Sequence, residues 1–150
     1  MGAGRMTSTP PRGDGLRALT VRQPWASCIA HGSKRVENRT RPWWWRGWFL
    51  IHAGRGTDHQ ALTDPRVTCT FPRQPLEFGA VLAVARLTDC HQDEPGRACS
   101  AWADPEAWHL TLTDVTPLLE PIPALGRLGL WRPSCELTAH ALAQLPHLKP

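Results

Sequence analysis

The chain has 150 residues, of which 41% are hydrophobic and 20% charged, with a formal net charge of +4. That length suits one ordinary domain that buries a core without staples, and no apolar run reaches the roughly eighteen residues needed to span a bilayer. Five cysteines at scattered spacing fit reduced thiols better than a disulfide framework. The amino end, MGAGRMTSTPPRGDG, has no apolar segment typical of a secretory signal, and Met6 stands where a myristoylation signal needs Ser or Thr. A cytoplasmic protein is therefore expected.

The charge is unevenly placed. Arg17 to Arg55 holds eight basic residues against the single acid Glu37, whereas the rest of the chain has nine basic and twelve acidic residues. An anionic partner is implied, nucleic acid first and a phosphorylated small molecule next, against the alternative of a solvated basic face.

Residues 1 to 15 are nearly devoid of apolar side chains and read as a flexible tail. Leu19 and Val21 then alternate with Thr20 and Arg22 as a short strand. Pro24 suits the first position of a helix with an apolar face of Trp25, Cys28 and Ile29, which Gly32 closes as a left-handed cap. Lys34 to Thr40 reads as a strand with Arg35, Glu37 and Arg39 on one face and Val36 and Asn38 on the other. Trp43, Trp44 and Trp45 form a loop or hairpin limb. Trp48 to Ala53 is strongly β-like, and Gly54 and Gly56 end it. A short helix capped by Thr57 or Asp58 is expected over Asp58 to Leu62, followed by a loop through Pro65, Pro72 and Pro75.

Gly79 to Leu87 is apolar on both faces and reads as a central strand. A polar loop from Asp89 to Arg97 and a short helix around Ser100 to Trp102 follow. Trp108 to Val115 alternates as a half-buried strand, and Pro117, Pro121 and Pro123 hold an extended segment. Gly126 to Trp131 supplies a last strand, and residues 134–150 form a helix or tail, with Leu137, His140 or Ala141, and Leu145 at near-helical spacing. The fold class expected is mostly β with α, a small barrel with short helices at its mouth.

Taken in order, QPW followed by a helix, GSKRVENRT, RGWFLIHAG, the GAVLAVARLTD strand, WHLTLTDV and GRLGLW resemble an ASCH domain of the PUA-like superfamily. The similarity spans residues 16–133, and its specific part is G-x-K-x-x-E-x-R at Gly32, Lys34, Glu37 and Arg39, preceded by Gln23-Pro24-Trp25. The resemblance implies a PUA-like β-barrel whose cleft, beside the first helix, binds RNA or a modified nucleotide.

The residue types fit such a ligand. Arg39 offers a planar fork for phosphate or a base edge, and Lys34 a point charge or, desolvated, a base. Glu37 accepts from an exocyclic amine, Trp25 stacks a base, and Gln23 reads an edge. Each has a structural alternative: Glu37 and Arg39 as an ion pair, Trp25 as core. His52 and His109 are either hydrogen-bonded barrel residues or site residues, and His52 is included as a candidate ligand contact. Small bacterial relatives hydrolyse acetylcytidine with Lys and Thr in a K-x-x-T-x-R version of the motif, and others are described as ribonucleases. Here Glu37 stands at the Thr position, and a carboxylate does not replace a hydroxyl nucleophile in acyl transfer. Two functions stay open: a binding module, and a hydrolase of RNA or an acylated nucleoside with Lys34 and Glu37 as catalytic groups. The tryptophan loop is a candidate surface for a protein partner. Cys90, His91 and Cys99 match no zinc spacing and lack a fourth ligand, so neither metal nor cofactor is expected.

Overall fold

The computed structural model describes residues 15–70 and 75–145. The expected tail, except Gly15, lies outside them, as do Pro72 and Pro146. A six-stranded mixed sheet forms a half-barrel flanked by three short α-helices. Its strands are β1 (Arg17–Gln23), β2 (Val36–Arg39), β3 (Gly47–Thr57), β4 (Ala80–His91), β5 (Trp108–Pro123) and β6 (Leu130–Trp131), in the order β2-β5-β4-β3-β1-β6. β1 and β3 pair in parallel, and the other neighbours are antiparallel. The helices are α1 (Trp25–His31), α2 (Pro65–Thr70) and α3 (Cys135–Ala143).

Strand alternation divides the core between the two sheet faces. Phe49, Ile51 and Ala53 pack with Ala26 and Ile29 of α1, whereas Leu50 joins Leu137 and Ala141 of α3. A register shift between Val81 and Ala83 lets Leu82 and Ala83 both face the α1 side. Full burial of Phe49, Leu50 and Ile51 contributes about 1.5–3 kcal/mol per side chain.

Several local expectations are corrected. Pro24 is the N-cap rather than the first helical residue of α1, so the helix begins at Trp25, one residue later than expected. Gly32 ends α1 in an extended conformation (φ −117°, ψ −158°). A Cβ there would lie 2.7 Å from the Cys28 carbonyl oxygen and 2.8 Å from Thr70 Cγ2, so close packing, not a left-handed turn, calls for glycine. β3 continues through Gly54 and Gly56 to Thr57, because Gly54 lets Thr20 of the neighbouring strand approach, with Cγ2 2.8 Å from where a Cβ would sit. Pro65 opens α2, since Asp64 accepts the backbone N–H of Arg66 (2.9 Å) and proline suits a first helical position. Residues 100–102 are bend and turn, not helix. β5 runs through its prolines to Pro123, and the final strand is confined to Leu130–Trp131.

Candidate nucleotide-binding cleft

The Lys34 to Arg39 segment meets α1 at a cleft built from several elements. Its narrow end, about 140 Å³, is lined by Trp25 of α1, Lys34, Glu37, Asn38, Asp58 after β3, Arg66 of α2, and Trp102 and Asp104. A wider part, about 420 Å³, shares Trp25, Glu37 and Asn38 and continues past Arg22, Arg39, Arg55 and Arg127. The two parts are thus contiguous.

Lys34 is 2% exposed, and its ammonium donates to the Val36 carbonyl and lies 3.7 Å from Glu37 Oε1. The same Nζ sits 5.5 Å from the Trp25 ring centroid. Glu37 Oε1 also accepts the Asn38 backbone N–H (3.1 Å), while Oε2 makes no hydrogen bond to the described residues. Glu37 is therefore held by one oxygen and can offer the other to a ligand. The structural alternative of a Glu37–Arg39 ion pair is not formed: Arg39 donates to the Thr20 carbonyl (3.3 Å) and covers the Trp43 ring (5.2 Å), and its buried Nε has no partner among the described residues.

Arg35 leaves the shared face predicted for it. Its Nη1 donates to the carbonyls of Ile29, Gly32 and Lys34, where it satisfies the C-terminal end of α1. Gln23 is fully buried and spent on the fold, donating to Ser27 Oγ (2.8 Å) and the Glu77 carbonyl (2.6 Å) while accepting from Ser27 N (3.0 Å). It braces the helix that presents Trp25.

Trp25 anchors by Nε1 to Asp58 Oδ2 (3.1 Å) and meets Trp102 edge-to-face at 6.3 Å. The Arg66 guanidinium lies 4.9 Å from the Trp102 ring and is oriented by Asp64, whose carboxyl it holds below the usual range. Asn38 fastens the far loop, donating to the Trp102 carbonyl (2.9 Å) and accepting from Asp104 N (2.9 Å). His52 is 1% exposed; Nε2 faces the Ala124 carbonyl (2.7 Å) and Nδ1 faces Thr20 Oγ1 (3.2 Å). Burial lowers its pKa, against a smaller opposing effect of the Ala124 hydrogen bond. It borders an adjoining cavity with Leu125 and Leu128, away from Lys34 and Glu37.

Of the tryptophan loop, Trp43 and Trp45 pack against the core and Trp44 is 89% exposed. All five cysteines are free. Cys90, grouped with His91 and Cys99 in the sequence, instead accepts the Trp43 N–H at 3.5 Å. Sequence reasoning missed Asn38, Arg66, Trp102, Asp104 and Arg127 as cleft residues. Asn38 sits inside the motif, between Glu37 and Arg39, and Arg66 and Arg127 carry positive charge; nothing local links Trp102 or Asp104 to Lys34.

The half-barrel with its helix-flanked cleft defines a PUA-like, ASCH-like fold. Among solved structures it is similar to ASCH from Zymomonas mobilis, 18% identical over 87% of this chain and 95% of that chain, with a TM-score of 0.53. A serine-to-alanine variant of that protein is 18% identical over 89% and 97%, and a tyrosine-to-phenylalanine variant 17% over 86% and 97%, both at 0.53. At such identities the likeness is one of fold. No protein-family model and no curated protein matches the chain. Among the described residues no helix is long and apolar enough to cross a membrane.

Proposed function

We propose that this chain is a cytoplasmic binding module for single-stranded RNA or a modified nucleotide, held in the cleft between α1 and β2. The observation that carries the reading is the set of exposed arginines Arg22, Arg55 and Arg127, which line the wide part and whose side chains make no hydrogen bond or ion pair with described residues. Lone arginines around one concavity offer forked donors to phosphates, and half-buried Arg39 adds unused ones. Trp25 supplies an aromatic wall and Glu37 Oε2 an acceptor for an exocyclic amine at the narrow end.

Fluorescence anisotropy with a labelled short single-stranded RNA tests this. Affinity should fall steeply with salt, and the triple variant Arg22→Gln, Arg55→Gln, Arg127→Gln should flatten the log–log salt slope by about two, at roughly 0.7 per lost phosphate contact. Unchanged binding in the triple variant, or none at low salt, overturns the reading.

A second reading, a hydrolase of RNA or an acylated nucleoside, is favoured by one feature: a nearly sealed lysine beside a carboxylate at the narrow end. Products from labelled RNA or acylated nucleosides that vanish in the Lys34→Met, Glu37→Gln double variant would support it, and intact substrates with the native protein would dismiss it.

A further inference from the structure

The connection 92–107 between β4 and β5, which reaches the cleft only through Trp102 and Asp104, contains neither helix nor strand, and Trp102 is its one buried residue. A connection of this length with so little apolar anchorage needs another means to offset the entropy of ordering it. The β4–β5 register sets His91 directly opposite His109 at the mouth of that loop, with the rings 5.6 Å apart. The loop then returns Asp93 and Cys99 to the same point, so that ligand atoms of all four residues lie within 4.8 Å of one another.

The hydrogen-bond geometry sorts the imidazole nitrogens into outward and inward ones. His109, 1% exposed, directs Nε2 at the Asp104 carbonyl (2.7 Å), and His91 directs Nδ1 at Asp89 Oδ2 (2.8 Å). In the neutral tautomers that give their single N–H to those outward acceptors, the inward nitrogens present lone pairs toward Asp93: His91 Nε2 is 2.9 Å from Oδ1 and His109 Nδ1 is 3.2 Å from Oδ2. Cys99 Sγ is 3.8 Å from His109 Nδ1, and its backbone N–H holds Asp93 Oδ2 at 2.8 Å. Lone-pair donors from four side chains thus converge, and a cation resolves the conflict. The outward carboxylate and carbonyl are the partners that orient metal-bound histidines.

We propose that His91 Nε2, His109 Nδ1, Cys99 Sγ and a carboxylate oxygen of Asp93 form a tetrahedral site for a structural zinc ion. Bonds of about 2.0–2.3 Å in a tetrahedron set ligand atoms about 3.3–3.8 Å apart, so the widest pairs, up to 4.8 Å, would close and the Asp93–histidine pairs at 2.9 and 3.2 Å would open by a few tenths of an ångström. A mixed nitrogen, sulfur and oxygen set with one thiolate suits zinc over magnesium or calcium. The ion would tie the end of β4, the loop and the start of β5 together, and thereby hold Trp102 and Asp104 over the narrow end of the cleft.

The test uses the full chain, stripped with a chelator and titrated with Zn²⁺ against a chromophoric competitor, then with Co²⁺ for its spectrum. One equivalent of zinc should bind, and the cobalt form should show a tetrahedral d–d envelope with a thiolate charge-transfer band. Cys99→Ser should abolish that band, and His91→Gln, at a partly exposed position, should weaken zinc more than about tenfold. The double variant Cys69→Ser, Cys135→Ser should bind as the native chain does, which separates this site from adventitious binding at exposed thiols. Failure to take up stoichiometric zinc, a cobalt spectrum without the thiolate band, or retention of that band in Cys99→Ser each overturns the proposal.

Discussion

Replacing Lys34 by Met should destabilise the fold far more than replacing Lys34 and Glu37 together. The ammonium and carboxylate lie 3.7 Å apart with side chains 2% and 10% exposed, so at an effective dielectric constant near 20 their attraction is about 4–5 kcal/mol. Desolvation of the two charges offsets most of that, and the net worth of the pair is small. Lys34→Met alone leaves a buried carboxylate with the Asn38 N–H as its remaining hydrogen bond, and strips the Val36 carbonyl of a donor. The expected cost is about 3 kcal/mol, or roughly 6–12 °C in Tm for a domain of this size. Adding Glu37→Gln removes the stranded charge and should bring the loss back to about 1 kcal/mol. Urea unfolding followed by tryptophan fluorescence, with m-values checked for constancy, reads both. Single and double variants of equal stability would refute the buried-pair account.

Three further outcomes are expected. Burial holds His52 below the ordinary histidine value of 6.5, so the unfolded chain binds the extra proton first; stability is complete above about pH 6.5 and falls as pH drops toward the folded value. Unfolding curves at a series of pH values should show that decline flattened in His52→Gln, and an unaltered profile would remove His52 as its source. Gly126→Ala would place a Cβ 2.6 Å from Thr20 Oγ1 and 2.7 Å from His52 Cε1, and should lose about 1–3 kcal/mol by calorimetry; an unchanged Tm would show that the loop yields freely. Ser134 accepts the Leu137 N–H (3.1 Å) at the start of α3, so Ser134→Ala should cost about 1 kcal/mol and Ser134→Asp almost nothing, again by urea unfolding.

The strands were legible because each expresses a local rule. The alternation in Leu19 and Val21, the doubly apolar Gly79–Leu87 run and the β-branched and aromatic Trp48–Ala53 segment are properties of neighbouring residues, and β1, β4 and β3 follow them. The surplus of positive charge before Arg55 was equally visible, and it contributes Arg22, Arg39 and Arg55 to the cleft. Local rules could not say which charges would line the cleft. Arg35 turned to the carbonyls ending α1, because β2 begins only at Val36 and the alternation expected of Lys34 to Thr40 does not reach back to it. Gln23, adjacent to the motif, was drawn inward by Ser27 and Glu77. Asp58 and Arg66 reach Lys34 and Glu37 from the β3–β4 connection, Trp102 and Asp104 reach them from the β4–β5 connection, and Arg127 joins Glu37 in the wide part from the β5–β6 connection. His91 and His109 face one another only through the β4–β5 register. Residue types and local periodicity are written along the chain, whereas the meeting of distant side chains depends on strand pairing and loop return, which the tertiary structure alone decided.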